Sequence, residues 1–413
     1  MGAALIVITL FIVMALNVIK SESAREAKDI GVEVTSKRAV ASKKEIKLYK
    51  ARQQKLRVAL NAYFEKAIRI GDIVGAGVSI VKGDSIVISD GFGKRSINKK
   101  NKVDGETVFR LGSLSKGFAG VLAASLQEEG KLDFDDKVIE YLPEFQFGDK
   151  KNTEKVKFEH ILSHSSGTPY HSFTNLVEAG IPVATIATRF DEVTPISEPG
   201  QMYSYQNAMF SLGQEVMRKA TGKDVKTLLR NRFFKPLGMS HTSMDHKTLL
   251  EEDNVAMPHA RNRKGWRTLV LKDRYYNAVV AGGINASSLD MAKWMRFLLG
   301  HNPEVVAPKT IEKAFEPFIK ISYNNKYYQR WSNHKQSHYG FGWRIHEFQA
   351  SETADVTTVW HHGGSVNNYR NEIAVFPEND LGICVLLNGN SKIARNVIPD
   401  LYEIVGNNFD ESH

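Results

Sequence analysis

Ser113 and Lys116 stand three residues apart in the stretch Phe109-Arg-Leu-Gly-Ser-Leu-Ser-Lys-Gly-Phe118, one turn apart on a single face if a helix opens at Ser113. A serine hydroxyl is a weak nucleophile until a base takes its proton. A lysine is such a base only when burial or a neighbouring cation drives its ammonium neutral. A helix start also presents unpaired backbone N–H groups, which suits an anionic intermediate. The tetrapeptide alone is not selective, because Ser-x-x-Lys recurs at Ser79/Lys82, Ser96/Lys99 and Ser332/Lys335. Ser79/Lys82 lies in an alternating strand pattern and Ser96/Lys99 in a turn-rich basic patch. Only Ser113/Lys116 follows a glycine at the opening of an apolar helix. The competing reading is an N-cap serine beside a solvated lysine.

The elements that must position this pair are legible on both sides of it. Val103 to Leu111 alternates and reads as a strand or extended arm turning at Gly112; Phe118, Val121, Leu122, Leu126 and Leu132 then fall near helical spacing, with Gly130 a stop. Upstream, Tyr49, Gln53, Leu56, Leu60, Phe64 and Ala67 mark one face of a helix from about Lys47 to Ile70, with Gln53 its one polar member. Val74 to Val81 and Ser85 to Ser89 read as strands of a hairpin turned by Lys82-Gly83-Asp84. A helix over Met209 to Ala220 and another over Leu289 to Leu299 follow. Strand character returns at Tyr339 to Ile345, Thr357 to His362, Glu372 to Phe376 and Leu381 to Leu387, with Pro377-Glu-Asn-Asp380 a turn. Strands at both ends with helices between imply an α+β fold: an antiparallel β-sheet flanked by helices, with an inserted all-helical lobe over about 121–280.

Two further motifs follow the first in order, Tyr205-Gln-Asn207 and His362-Gly-Gly364. Together the three resemble the beta-lactamase-related serine hydrolases, the group of class C beta-lactamases, D-aminopeptidases, DD-carboxypeptidases and lactamase-fold esterases. The resemblance extends to Ile161–Gly167, Lys235–Thr242, Ala281–Trp294 and Tyr339-Gly-Phe-Gly-Trp343, and so covers roughly Val108 to Asn388. Each later motif has decoys, at Tyr275-x-Asn277, Tyr323-x-Asn325 and His338-x-Gly340; the ordered set is what is specific. It implies Ser113 as the nucleophile forming an acyl-enzyme, with Lys116 and Tyr205 sharing proton handling. Which of the two takes the serine proton stays open, and their titrations should be coupled. Asn207 would hold Lys116 and a substrate amide. The resemblance also implies an oxyanion hole from the N–H groups of Ser113 and of Ser365, the residue after Gly364.

His362 bears on the substrate. The matching motif of class C beta-lactamases carries a charged lysine, whereas a histidine is mostly neutral at pH 7 and anchors an anion less well. By resemblance the histidine form belongs to the peptidase and esterase branches. The expected substrate is therefore an ester or a peptide with a small acyl group, D-amino-acid peptides included. A beta-lactamase or penicillin-binding DD-peptidase is the alternative, and a lactamase-fold binding protein with little turnover is the second. His361 offers another register, His361-His-Gly363, and Asn367-Asn368 replace the Pro-Gly common before the next aromatic.

The remaining features bound the setting. His160 and His164 have the spacing of two metal ligands on one turn. However, no His-Glu-x-x-His or acidic third ligand accompanies them, so structural histidines, no metal and no cofactor are expected. The single cysteine, Cys384, sits in an apolar run and reads as a buried, inert thiol. The formal charge of +9 is concentrated near the start, from Lys37 to Arg57; a solvated helix face is favoured over contact with anionic lipid or cell-wall polymer. No nucleic-acid motif is present. Ala3 to Ile19 is apolar but for Asn17, and reads as a signal peptide or membrane anchor over 1–20. A polar basic tether over 21–46 and a hydrolase domain over 47–408 follow, in a protein that is exported and periplasmic or membrane-tethered.

Overall fold

The computed structural model describes residues 42–322 and 326–409. The expected signal or anchor and most of the tether lie outside the described residues, and no helix among these is long and apolar enough to cross a membrane. The chain divides into two compact units, Met1–Lys50 and Ala51–His413. Of the first, residues 42–50 are described; they are exposed and begin helix α1, Lys43–Arg69. Helix therefore starts inside the expected tether, because Ser42 and Glu45 form a reciprocal cap: the Glu45 N–H donates to Ser42 Oγ (3.2 Å) and the Ser42 N–H to Glu45 Oε2 (2.6 Å).

The second unit is built on an eight-stranded antiparallel sheet. Its strands are β1 Gly75–Lys82, β2 Ser85–Gly93, β3 Ile319–Lys320, β4 His334–Tyr339, β5 Arg344–Phe348, β6 Thr357–Val366, β7 Tyr369–Phe376 and β8 Leu381–Leu387. Their spatial order is β2-β1-β8-β7-β6-β5-β4-β3. Strand β8 lies inside the sheet and is buried along its whole length, which is why its sequence is apolar without alternation. On one face Ile383 and Val385 meet Leu56, Leu60 and Phe64 of α1. On the other, Cys384 and Leu386 meet the core of the helical region. The α+β sheet with an insertion between its second and third strands matches expectation.

Three details differ. Tyr339 to Ile345 is not one strand: Gly340-Phe-Gly-Trp343 turns between β4 and β5, and Gly342 takes a positive φ of 84° that ends regular pairing. The arm before Gly112 is a strand only over Val108–Arg110, where it pairs with Asn285–Ser287. The inserted lobe is not wholly helical, since it contains a hairpin of His259–Asn262 and Gly265–Thr268. Asn262 Oδ1 accepts from the Lys264 N–H (2.9 Å) there, an Asx-type turn that a helix could not accommodate.

Three helices matter for the site: α2 Ser115–Glu128, α3 Asn207–Thr221 and α4 Ser288–Leu298. Helix α2 is buried on all sides from Ser115 to Leu126. It presses against the β4–β5 turn so closely that a Cβ at Gly120 would stand 1.7 Å from the Phe341 carbonyl oxygen. Alanine is the better helix former by about 1 kcal/mol, yet Gly120→Ala is expected to lower the urea-unfolding free energy by about 1–3 kcal/mol through overpacking. An unchanged midpoint would show that the helix and turn are not in this contact.

Candidate active site

Gly112–Leu114 forms a single 3-10 turn that runs into α2, so Ser113 lies just ahead of the helix rather than at its cap, and no side-chain cap bond is made. Two glycines allow the turn to meet strand β6 backbone to backbone. Gly112 has φ +58°, and a Cβ there would lie 2.9 Å from the Ser365 backbone; one at Gly364 would lie 2.2 Å from the Leu111 carbonyl oxygen. Ser365 and Ser113 therefore border the same cavity, of about 770 Å³, together with Tyr205, Asn207 and Gly363. Asn371 secures the approach from below, with Nδ2 donating to the Arg110 and Leu111 carbonyls (2.9 and 3.0 Å). The Asn367-Asn368 pair closes β6 to β7 with positive φ at both residues, 46° and 68°, as a two-residue hairpin turn requires.

Lys116 is fully buried. Its Nζ donates to Asn207 Oδ1 (2.8 Å) and to the Ala281 carbonyl (2.8 Å), and lies 3.4 Å from Ser113 Oγ. The Ala281 segment is held to the helix by the second serine of the tetrapeptide, Ser115, whose Oγ accepts from the Ile284 N–H (3.1 Å). Burial, and secondarily the Arg344 charge, hold the Lys116 ammonium well below the ordinary lysine range. Tyr205 lies within hydrogen-bonding reach of Ser113; burial pushes its phenol up to about 12, against a smaller opposing pull from Arg344. The Lys116 Nζ stands 4.9 Å from the centre of the Tyr205 ring. Asn207 Nδ2 donates to the Tyr275 hydroxyl (3.1 Å), which brings the decoy tyrosine into the site.

His362 is placed beneath the site and does not line the cavity. It is fully buried, with Nδ1 donating to the Gly363 carbonyl (2.8 Å) and Nε2 paired with the Tyr339 hydroxyl (2.9 Å). Burial, with Arg344 and Lys116 nearby, holds its pKa well down, so it is neutral and both ring nitrogens are occupied. Gly364 likewise serves the backbone approach and is absent from the cavity lining. His361 faces the other side of the sheet, where its Nε2 lies 2.8 Å from Glu372 and its Nδ1 3.0 Å from His346. His160 and His164 are engaged separately: the Lys157 N–H donates to His160 Nδ1 (3.0 Å) and the Gln206 N–H to His164 Nδ1 (3.1 Å).

One further side chain of the cavity has no sequence motif. Arg344, the first residue of β5, lines the cavity floor with its guanidinium 5.0 Å above the Tyr328 ring. Its Nε and Nη1 are buried without a hydrogen-bond partner, and it makes no carboxylate ion pair among the described residues. An arginine following the Gly-x-Gly-Trp turn was the available signal, but only the fold reveals that its neighbours are tyrosines rather than acids.

His164, His346, His361 and His362 are four buried imidazoles held well below their ordinary range by desolvation. The unfolded chain protonates them near pH 6.5 while the folded chain does not, so each withdraws about 1.4 kcal/mol of stability per pH unit as pH falls below that value. Glu372, pushed up to about 7, binds a proton in the folded state over part of this window and offsets one of them. His160, held down at about 4 by burial, adds in the same direction, so urea-unfolding midpoints measured from pH 7 to pH 5 should fall with a net uptake of protons on unfolding; a flat profile would refute the neutral assignment.

A family model described as Beta-lactamase matches residues 60–404. Protein flp of Staphylococcus aureus is 23% identical over 354 residues, covering 83% of this chain and 65% of that protein. Unguisins hydrolase ungD' of Aspergillus campestris is 25% identical over 344 residues, covering 78% of this chain and 60% of that protein. The chain thus spans about 60–65% of the length of these curated relatives. Among solved structures, the octameric penicillin-binding protein homologue from Pyrococcus abyssi superimposes with a TM-score of 0.70 at 24% identity, covering 84% of this chain and 77% of that one.

Proposed function

Because the chain belongs to the beta-lactamase family, we propose that it is a serine hydrolase working through an acyl-enzyme at Ser113. The hydrogen bonding of Lys116 carries this reading. A neutral amine has two N–H donors and one lone pair. The two acceptors at 2.8 Å, Asn207 Oδ1 and the Ala281 carbonyl, take the donors, which leaves the lone pair for Ser113 Oγ at 3.4 Å. Lys116 then accepts the serine proton as Oγ bonds to the substrate carbonyl carbon, and the carbonyl oxygen becomes an anion facing the Ser113 and Ser365 N–H groups. Tyr205, neutral because burial raises its phenol, donates its proton to the departing alcohol or amine and is reprotonated from Lys116. Water attacks the acyl-enzyme by the reverse relay. No metal or cofactor enters this scheme.

The preferred substrate is an ester or peptide with a small acyl group, D-amino-acid peptides included. Arg344 favours a second reading alongside it. Arg344 lines the cavity and has no carboxylate partner among the described residues, so its permanent charge suits a substrate carboxylate, such as a free peptide C-terminus or the acid group of a penicillin. It supplies the positive charge that neutral His362 lacks, and so supports the DD-peptidase alternative. Export and membrane tethering are proposed from the apolar run Ala3 to Ile19 alone.

The protein should hydrolyse a short-chain nitrophenyl ester, with Ser113→Ala abolishing turnover; turnover surviving that change would overturn the assignment. Lys116→Arg, which cannot deprotonate, should be equally inactive. In the parent protein kcat/KM should rise with pH as Lys116 loses its proton and level off well below pH 10.5, because the base is the neutral form. Arg344→Gln, assayed at a pH where Lys116 is already neutral, should slow acylation by a fluorescent penicillin about tenfold or more while sparing the neutral ester. Equal losses on both would assign Arg344 a structural role.

A further inference from the structure

We propose that the surface beside the catalytic cavity binds a second anionic group of the substrate, a phosphate or carboxylate on the part of the molecule that projects outward. That this ligand is a substrate rests on the hydrolase reading; the binding surface does not. The cavity shares Tyr327, Ser365 and Arg370 with an adjoining depression, which in turn shares Tyr327, Lys392 and Arg395 with a third. The third returns to the cavity rim through Lys326. The three form one trough around Tyr327, and the two outer depressions are lined by basic and neutral polar residues and Tyr327, with no aspartate or glutamate among the described residues.

Two acids adjoin the trough from behind its lining. Glu372 is buried behind Arg370, which it meets at 2.6 Å, and accepts from the Tyr327 hydroxyl (2.8 Å). Asp72 is turned to the backbone, accepting from Ser391 Oγ (2.6 Å) and the Lys392 N–H (3.1 Å). The side chains of Lys392 and Arg395 are left exposed. In the cavity itself the one acid is Glu178, paired with Arg274 at 2.7 Å. A single rim cation contributes little in water, and Arg370 is offset by Glu372, but Lys326, Lys392 and Arg395 cluster along one path and focus a positive potential on it. Ser365 lies at the inner end of that path, next to Ser113, so an anion in the trough would belong to a molecule already placed for attack. At the outer end the backbone is anchored by one side-chain bond, the Arg395 carbonyl accepting from Trp331 Nε1 (2.8 Å).

The test is calorimetric binding of inorganic tripolyphosphate and of tri-L-glutamate to the full chain in neutral detergent, at about 50 mM salt and again at about 0.3 M, where screening is stronger. One of the two anions should bind with one-to-one stoichiometry and lose affinity in the higher salt, and it should compete with acylation of Ser113 by a nitrophenyl ester. Lys392→Glu/Arg395→Glu should weaken it by about tenfold or more. The control Lys99→Glu/Lys100→Glu, an exposed pair of the same charge in the turn after β2, should leave it unchanged. Which anion binds distinguishes phosphate from carboxylate. Binding of neither, or equal weakening by both double variants, would overturn the proposal, the second by reducing it to net-charge attraction. Failure of the hydrolase reading looks different: ester turnover independent of Ser113, with anion binding intact.

Discussion

A lysine amine that water does not reach is the constraint on which the rest of the site depends. An ammonium buried without a carboxylate is costly, and the inexpensive solution is to release its proton. Lys116 meets this condition with two neutral oxygens and no acid. Every structural feature around it serves that arrangement: the all-round burial of α2, the loop that brings the Ala281 carbonyl inward, and the start of α3 that aims Asn207. A carboxylate in place of Asn207 would restore the charge and remove the base.

Electrostatics in the surrounding wall work in the same direction. Arg344 adds positive charge near Lys116, His362 and His164, and all three are held below their ordinary ranges, with Arg344 among the causes. Tyr203, Tyr205 and Tyr339 meanwhile keep their protons because burial raises them. The wall around Lys116 is thus a set of neutral donors and acceptors beside the permanent cation Arg344. Such a site holds its polar groups without compensating counter-ions, at the cost of sensitivity to acid.

The cavity and the trough outside it divide two tasks. Near Ser113 the chemistry needs a water-poor pocket with fixed donors. Beyond Tyr327 the surface is open and cationic, suited to drawing in and orienting a charged molecule. Tyr327 stands at the boundary, hydrogen-bonded to the buried Glu372 that also holds Arg370, so this buried polar network fixes the wall between the two.

The order of Ser113-x-x-Lys116, Tyr205-x-Asn207 and His362-x-Gly364 was legible in the chain itself, because motifs are local and the spacing of apolar residues reports which helix carries them. The central helices and the strands Leu381–Leu387 and Thr357–His362 were legible for the same reason. The turn inside Tyr339–Ile345 was not, since its strand-like residues pack against Gly117 and Gly120 of a helix more than 200 positions earlier. Nor could periodicity reveal that His362 lies under the sheet with both nitrogens engaged, or that Arg344 stands among tyrosines. Residue types and their order picked out the candidate nucleophile and its candidate partners. Which groups are charged, and which face the cavity, was decided by burial and by neighbours distant in the chain, and those exist only once the sheet and lobe have closed on each other.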